Sequence, residues 1–466
     1  MLTVGFARAN ITPPPGCNMP GGHFPRAGTH VHDDLYATAM VVDNGQERVA
    51  LVGLDALSVK HSTVQAGRKL AHKLCGIAPG NIMVGASHTH CGGPTCDCLG
   101  SRPEKWYCDL VGKQIGAAVS EADRHKQPAV IAIGRGHEDR VAFNRRFVMA
   151  NGCETTHPGK MNPDIRKIAG PIDPEVGVLA VFAAAPGGAE CAAASRIRPK
   201  AAGPDAGQTP AGIRPLLGCL VNYTLHGTLG VGGTGYSADW PHYLREAISR
   251  VYGADALTVF LNGACGDVTQ VDNQSPRPRE YGEAFGRYVG YSVAAEAIKV
   301  IEQLAIAGDK HDDVHLDATS EVLPLPMRPV TREMVAHAKQ YLKEHKGERS
   351  ADYVNADDML RLAEWIKTEP EVPAEIQAVR IGPLGLVSNP AEYFCCFGLD
   401  IKRKSPFEQT MVVELANGCI GYVPDEKALG PKGGGYEPRH ACSSKLVPEA
   451  GKLIAKKSVE LLKQLA

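Results

Sequence analysis

Short apolar, β-branched runs alternate with segments of helical periodicity along most of the chain. Four of the apolar runs are predicted to form buried strands: residues 48–55, 81–88, 215–226 and 256–262. A segment with helical spacing lies within each pair of strands, at 61–74 and at 240–252. Two strand–helix–strand units are the simplest description, and the alternation predicts an α/β fold of layered sheets and helices.

Helical periodicity is plain at 279–304 and returns in the last segment of the chain. Residues 183–212 are rich in Ala, Gly and Pro and show no period of either kind. We interpret them as a surface insertion, because strand-like segments resume on both sides. Two charged helices, at 331–346 and 356–368, interrupt the strand pattern, so 310–347 is the best candidate for a subdivision of the chain.

The composition is that of a globular protein. Of the 466 residues, 44% are hydrophobic and 22% are charged. The 50 Lys and Arg nearly balance the 51 Asp and Glu, so the chain lacks the basic excess of a nucleic-acid-binding protein. The longest apolar stretch, 176–185, is far shorter than the ~20 residues that cross a bilayer. No signal peptide is visible and the 14 cysteines follow no disulfide framework, so we expect a cytoplasmic protein with reduced thiols.

The first candidate chemistry lies where the predicted strand 81–88 ends, at His88-Thr89-His90. In an extended chain the side chains at i and i+2 point the same way, so His88 and His90 can face one cleft. Two imidazoles can bind a metal together, or one can bind the metal while the other transfers protons. The alternative is a pair of histidines that only form hydrogen bonds at a strand end.

The second strand pair also ends in polar, glycine-rich segments. One strand runs into His226, and its partner runs into Gly266-Asp267-Val268-Thr269. The glycines let main-chain N–H groups approach a ligand, but the segment matches neither a phosphate-binding loop nor a dinucleotide fingerprint. Taken alone, Asp267 is more often a carboxylate that caps a turn. Three further candidates lie near the C-terminus: Glu392 after Pro390, Tyr422 in a Gly-Tyr-Val motif, and Tyr436 after three glycines.

In this order, these segments resemble the catalytic domain of the neutral/alkaline non-lysosomal ceramidase family. The resemblance extends from Val4 to the C-terminal helix. It includes the segments 4–13 and 30–37, the His-Thr-His motif, the isolated His226, and the Gly-Asp-Val-Thr, Pro-x-Glu and Gly-Tyr-Val motifs. It implies a single catalytic domain over 1–466, built from layered mixed β-sheets covered by helices. The immunoglobulin-like C-terminal domain of full-length ceramidases is expected to be missing, because no run of short strands follows the last helix.

The resemblance also implies roles for individual residues. In the family a zinc ion is bound by two histidines, a glutamate and a tyrosine, which correspond here to His88, His226, Glu392 and Tyr422. The second histidine of the motif, His90, corresponds to the acid/base group. The oxyanion donors correspond to Arg145 and Tyr436, and the substrate contacts to Thr269, Asp267 and Gly266. One zinc ion per chain is implied, and two imidazoles with one carboxylate are a ligand set that suits it.

These roles predict metal-assisted hydrolysis of a linear amide (N-acyl) bond. Thr269 stands where the family has serine and adds a methyl group, and aromatic residues make up only 6% of the chain, which offers no evident lipid-docking surface. We therefore expect a small-molecule substrate that need not be ceramide. The alternatives are an esterase, a lyase or isomerase acting on a polar or sugar-derived substrate, and a binding protein without turnover. The sequence predicts no oligomeric state.

Several other polar residues have two interpretations each. Four cysteines follow His90 at a spacing that fits no common metal pattern, so free thiols are preferred to a second metal site: Cys91, Cys96, Cys98 and Cys108. Two aspartates either orient a metal-binding histidine or cap a helix: Asp55 and Asp239. A polar patch lines the cleft or forms a hydrogen-bonded loop: His30, His32 and Asp33.

Overall fold

The structure is a computed structural model that describes residues 1–184, 214–277 and 279–466. The predicted insertion, 183–212, lies outside the described residues apart from its first two positions. The first strands are β1 Thr3–Asn10, β2 Tyr36–Asp43, β3 Arg48–Leu54, β4 Ile82–Ala86, β5 Gln127–His137, β6 Phe143–Asn144, β7 Arg146–Met149, β8 Glu154–Thr156 and β9 Ile165–Ile168. They are followed by β10 Glu175–Ala183, β11 Leu216–Tyr223, β12 Leu257–Asn262, β13 Val268–Thr269, β14 Leu316–Pro326, β15 Glu371–Ile381, β16 Leu384–Ser388, β17 Ala391–Tyr393, β18 Gln409–Val413 and β19 Gly421–Val423.

The helices cover these sheets. They are α1 His61–Cys75, α2 Lys105–Arg124, α3 Trp240–Tyr252, α4 Glu283–Ala307, α5 Arg332–Glu344, α6 Ala351–Thr368, α7 Cys395–Lys404, α8 Glu426–Leu429 and α9 Ala450–Leu465. In the described part of the chain, none of them is both long and apolar enough to span a bilayer. The mixed sheets and covering helices confirm the predicted α/β class.

The largest sheet has eight strands in the order β12-β11-β10-β5-β1-β2-β3-β4. The sheet has two halves, β12-β11-β10-β5 and β1-β2-β3-β4, which join where β1 pairs with β5 over only two residue pairs. At one end of the sheet, β12 contacts β2, β3 and β4 at the other end. The halves therefore pack on each other through a shared core that includes Val4, Leu51, Leu220 and Leu261. This packing brings the C-terminal ends of β4 and β11 into one region.

Both predicted strand–helix–strand units are confirmed. β3 pairs in parallel with β4 across α1, and β11 pairs in parallel with β12 across α3. Every residue of β4 is buried, as expected for a parallel strand that is covered on both faces. α1 ends at Gly76, which adopts the left-handed conformation (φ 79°) that glycine allows at a helix C-terminus. The candidate residues follow directly after these strands.

A second sheet, in the order β14-β15-β16-β18, is built by the C-terminal part of the chain. α9 packs against β15, and both contribute to a separate apolar cluster with α7. Beside this sheet, β17 and β19 form a short parallel pair in which Glu392 lies opposite Tyr422. Sheet pairing thus joins two candidate residues that are far apart in the sequence.

The other predicted helices are present with shifted ends. The helix predicted at 279–304 is α4, which begins only after Gly282, whose positive φ of 86° is incompatible with a helix. The charged helices predicted at 331–346 and 356–368 are α5 and α6. Ahead of them, 310–347 contains β14, a strand that the sequence analysis did not predict and that pairs with β15 along its full length. The subdivision there stays a prediction.

Candidate metal centre

Three histidines converge at the C-terminal ends of β4 and β11, and main-chain carbonyls orient all three. Their Nδ1 atoms donate as follows: His88 to Leu57 O (2.8 Å), His90 to Gly21 O (3.1 Å) and His226 to Cys265 O (2.7 Å). A carbonyl oxygen can only accept, so Nδ1 carries the proton and Nε2 keeps its lone pair. This is the tautomer in which an imidazole binds a metal through Nε2.

The three Nε2 atoms are buried and have no hydrogen-bond partner among the residues that the structure describes. One ligand atom from each of His88, His90 and His226 lies within 4.8 Å of the other two, and the His88 and His226 rings meet edge-on with centroids 4.3 Å apart. A buried acceptor without a partner is costly, so three in one place require an explanation. A cation bound between them provides one.

A glycine brings the two histidine segments together. Gly227 follows His226 and pairs with Thr89, and its carbonyl oxygen accepts from the His90 N–H (2.9 Å). A Cβ at Gly227 would lie 2.6 Å from the His88 carbonyl oxygen, so no other residue permits this approach without a shift of the main chain. His88 itself has a positive φ of 64°, which turns its ring back toward Leu57.

Glu392 and Tyr422 complete the cluster from the C-terminal part of the chain. Glu392 Oε2 lies 3.4 Å from His88 Nε2 and 3.9 Å from His226 Nε2. Tyr422 lies beside the same carboxylate, opposite Glu392 in the strand pair. Imidazole and carboxylate are preferred ligands of zinc, so the donor set suits a zinc ion. The three imidazoles alone also form a plausible ligand set. The assignment of Tyr422, and not His90, as the remaining metal ligand therefore stays a prediction.

Arg145 lies beside Tyr422 and is held by a buried acid. Its Nε donates to Glu437 Oε1 (2.8 Å), and its Nη2 donates to Gly266 O (2.6 Å) and Tyr422 Oη (3.3 Å). The Cζ atom lies 5.1 Å from the centre of the Tyr436 ring. Arg145 and Tyr436 therefore lie side by side, as the proposed pair of oxyanion donors requires.

The charges of the cluster follow from burial and from close partners. Burial, together with the nearby positive charges of Arg26 and Arg145, lowers the pKa of His90 well below its usual value. Burial alone would raise the pKa of Glu392, but the neighbouring His88, Tyr422 and Arg145 side chains lower it overall. At neutral pH His90 is therefore neutral and Glu392 is ionised. Those are the forms that an acceptor of protons and a metal ligand need.

A cavity of about 670 Å³ opens onto this cluster. Eight of the predicted site residues line it: His88, His90, Arg145, His226, Thr269, Glu392, Tyr422 and Tyr436. Cavities of this size take small-molecule ligands. The sequence analysis did not predict that Arg26, His157 and Tyr281 also line it.

Asp267 and Gly266 are not among the lining residues. Asp267 is buried and accepts from the Cys395 N–H (2.8 Å) and from Asn144 Nδ2 (2.7 Å). Gly266 accepts from Arg145, and a Cβ there would lie 2.6 Å from the Glu392 carbonyl oxygen. Both residues hold together the segments that present Arg145 and Glu392. Their direct contact with a substrate stays a prediction.

Other candidates prove to have structural partners. Asp55 forms a two-bond ion pair with Arg245 (2.8 and 2.9 Å), and Asp239 accepts from the Trp240 N–H at the start of α3. Of the two interpretations, orientation of a histidine is therefore wrong for both aspartates, because carbonyl oxygens have that role. His32 and Asp33 bond to each other (2.8 Å) and do not line the cavity.

The sequence analysis missed two buried acids. Glu437 is completely buried and accepts from both Arg145 and Arg146 (3.0 Å). Glu414 is also completely buried, and its Oε2 accepts from the N–H groups of Cys265 (2.9 Å) and Tyr393 (2.8 Å). The adjacent arginines in the Asn-Arg-Arg sequence were a signal for Glu437, because two buried guanidinium groups need a counter-ion. Nothing local marked Glu414.

Solved structures of ceramidases share this architecture. Neutral ceramidase from Pseudomonas aeruginosa superposes with a TM-score of 0.71 at 18% sequence identity, over 99% of this chain and 74% of that one. A structure titled "Ceramidase complexed with C2" matches with a TM-score of 0.70 at 17% identity, over the same shares of the two chains. This chain has the neutral ceramidase fold.

The predicted fold is thereby confirmed over nearly the whole chain. The likeness extends over three quarters of the larger protein. No family model matches the sequence, and no curated protein matches it either. The relationship to the ceramidase fold is therefore visible in the three-dimensional structure and in a few short motifs.

Proposed function

We propose that the protein is a zinc-dependent hydrolase that cleaves a linear amide bond in a small-molecule substrate, which need not be ceramide. The observation that carries this proposal is the pair of buried Nε2 atoms of His88 and His226, which have no hydrogen-bond partner among the described residues and have the Glu392 carboxylate beside them. One zinc ion per chain is held by His88, His226, Glu392 and Tyr422. Bound zinc supplies Lewis-acid chemistry that activates water and polarises the amide carbonyl.

His90 transfers the protons. Its Nδ1 donates to Gly21 O, so Nε2 is the atom that accepts a proton from the attacking water. The low pKa of His90 keeps Nε2 free at neutral pH. The same nitrogen then returns the proton to the departing amine, and a group in this role contributes about 10²–10⁴-fold to the rate.

Arg145 and Tyr436 stabilise the negative charge that develops on the carbonyl oxygen. Three hydrogen bonds hold the guanidinium in place before substrate binds, so little reorganisation is needed during the reaction. Tyr436 is partly exposed at the cavity, where its hydroxyl group is within reach of a ligand. Thr269 lies on the cavity wall and limits the width of the substrate.

The experiment measures amine release from N-acyl amides of graded acyl length by zinc-loaded protein, with an ester of each acyl length in parallel. We expect hydrolysis of amides that is lost on treatment with a chelator and restored by added zinc. Zinc-loaded protein that cleaves none of the amides would overturn the proposal. Cleavage of the esters alone would assign the same site to an esterase.

A further inference from the structure

A second pocket adjoins the main cavity at the candidate metal centre, and the Glu392 side chain lines both. We call it the side pocket. Its volume is about 340 Å³, and it shares Leu57, Cys98, Leu99, Glu392 and Ser443 with the main cavity. A substrate whose amide bond lies at the metal centre can therefore extend in two directions.

The side pocket contains a buried lysine. Lys445 is 3% exposed, and its Nζ donates to Ile420 O (2.6 Å) and Cys442 O (2.9 Å). Nζ also lies 5.0 Å from the centre of the Trp365 ring. An ammonium group has three N–H donors. In the described part of the chain, the third donor of Lys445 has no hydrogen-bond acceptor, and no carboxylate oxygen lies within 4.0 Å of Nζ. A buried charge without a counter-ion is costly.

Apart from Glu392 at the metal centre and the solvent-exposed Lys60, the other charged groups of the side pocket are already paired. Arg361 donates to Asp97 (3.0 Å) and to Asp358 (3.3 Å), and Asp358 also accepts from the Cys442 N–H (2.8 Å). The thiols that line the pocket are neutral, because burial raises the pKa of each: Cys96, Cys98, Cys419 and Cys442. The ammonium of Lys445, whose pKa burial lowers, is therefore the buried cation that this pocket leaves without a carboxylate.

We propose that the side pocket is a subsite for a carboxylate group of the substrate, which binds to the Lys445 ammonium. This inference rests on the proposed function and narrows it to amides that carry a carboxylate. A carboxylate suits the pocket better than a phosphate, because a single ammonium with one free donor balances one negative charge. Where the side pocket adjoins the main cavity, Leu57, Cys98 and Leu99 line both, and these side chains suit a short hydrocarbon link between the carboxylate and the amide.

The experiment measures dissociation constants by calorimetry on zinc-loaded protein. The probes are dicarboxylates of three to eight carbons and monocarboxylates of the same lengths. One carboxylate of each probe binds at the metal centre, so only a dicarboxylate of the right length also reaches Lys445. We expect one dicarboxylate to bind about tenfold tighter than its monocarboxylate, the effect of one charge-assisted hydrogen bond. Equal affinities at all lengths would overturn the proposal.

Variants identify the group responsible. Lys445→Met is expected to remove the tenfold difference, whereas Lys60→Met, a change at an exposed lysine on the same pocket wall, is expected to keep it. Loss of the difference in Lys60→Met alone would contradict the assignment to Lys445. Because Lys445 also holds two carbonyls, its replacement risks misfolding. Cys419→Phe, which fills the pocket without removing the ammonium, is expected to remove the difference as well, with Cys419→Ala as its control.

The two proposals fail in different ways. Protein that binds no zinc, and no monocarboxylate, would contradict the proposed function. Protein that binds zinc and monocarboxylates, but shows no preference for any dicarboxylate, would contradict only the subsite.

Discussion

The candidate metal centre has two halves that are held in place differently. The imidazole half, His88, His90 and His226, follows strands of the large sheet, and main-chain carbonyls orient each ring. The arginine half, Arg145 with Tyr422 and Tyr436, depends on side chains, above all on Glu437, which binds both Arg145 and Arg146. A main-chain carbonyl survives most substitutions at its residue, so the imidazole half should tolerate changes at Leu57 and Cys265, although not at Gly21 or Gly227, where a Cβ would clash with the histidine segments. The arginine half should depend on one acid.

The largest expected effect tests the roles within the imidazole half. His90→Ala should lower kcat by about 10²–10⁴-fold because the proton acceptor is lost, while zinc content stays at the wild-type level. Steady-state kinetics and elemental analysis of the same preparation measure both. Zinc lost together with activity would instead make His90 a ligand, and the three imidazoles would then form the metal site.

The next effect tests the dependence of the arginine half on Glu437. Glu437→Ala leaves two buried guanidinium groups without their counter-ion and should lower the free energy of unfolding by about 3–5 kcal/mol. Denaturant titration measures it, and Glu437→Gln, which keeps an acceptor for one arginine, should cost less. A loss below about 0.5 kcal/mol, ordinary for a surface substitution, would show that the two halves do not differ as described.

The smallest effect concerns Glu414, which links the segment that orients His226 to the segment that carries Glu392, through the N–H groups of Cys265 and Tyr393. Burial raises the pKa of this carboxyl to about 8, from an unfolded value of 4.5. A raised pKa in the folded state favours folding while the group is protonated, and this contribution is lost as the pH rises from the unfolded to the folded value.

The glutamine in Glu414→Gln cannot titrate, so the variant does not lose this contribution as the pH rises. Its free energy of unfolding, relative to that of the wild type, should therefore increase by at least about 1.4 kcal/mol, the value of one pKa unit, between about pH 5 and about pH 8.5. Unfolding of chelator-treated protein at the two pH values measures this difference. A difference that is the same at both pH values would mean that Glu414 is ionised throughout.

The sequence predicted the elements whose signals are local. The parallel strands β3, β4, β11 and β12 are continuous apolar runs, and the histidines follow them directly. Glu392 and Tyr422 were assigned as metal ligands only through the resemblance, because the register of β17 and β19 brings them together and no local pattern encodes that pairing.

The remaining features depend on contacts that a sequence does not display. The carbonyl oxygens of Leu57, Gly21 and Cys265 exist at every residue, so nothing marks them as partners of the histidines. The link between Arg145 and Glu437 spans 292 positions. Lys445 is buried by contacts between segments distant in the sequence, and no local pattern marks it.

The most direct test of the central claim is the zinc content of the purified protein, measured by elemental analysis beside His88→Ala and Glu392→Ala, one variant from each side of the cluster. We predict about one zinc ion per chain in the wild type and its loss in both variants, because each removes a ligand. A wild-type protein that binds no zinc even when zinc is supplied, or variants that both retain it, would contradict the assignment of these residues to a metal centre.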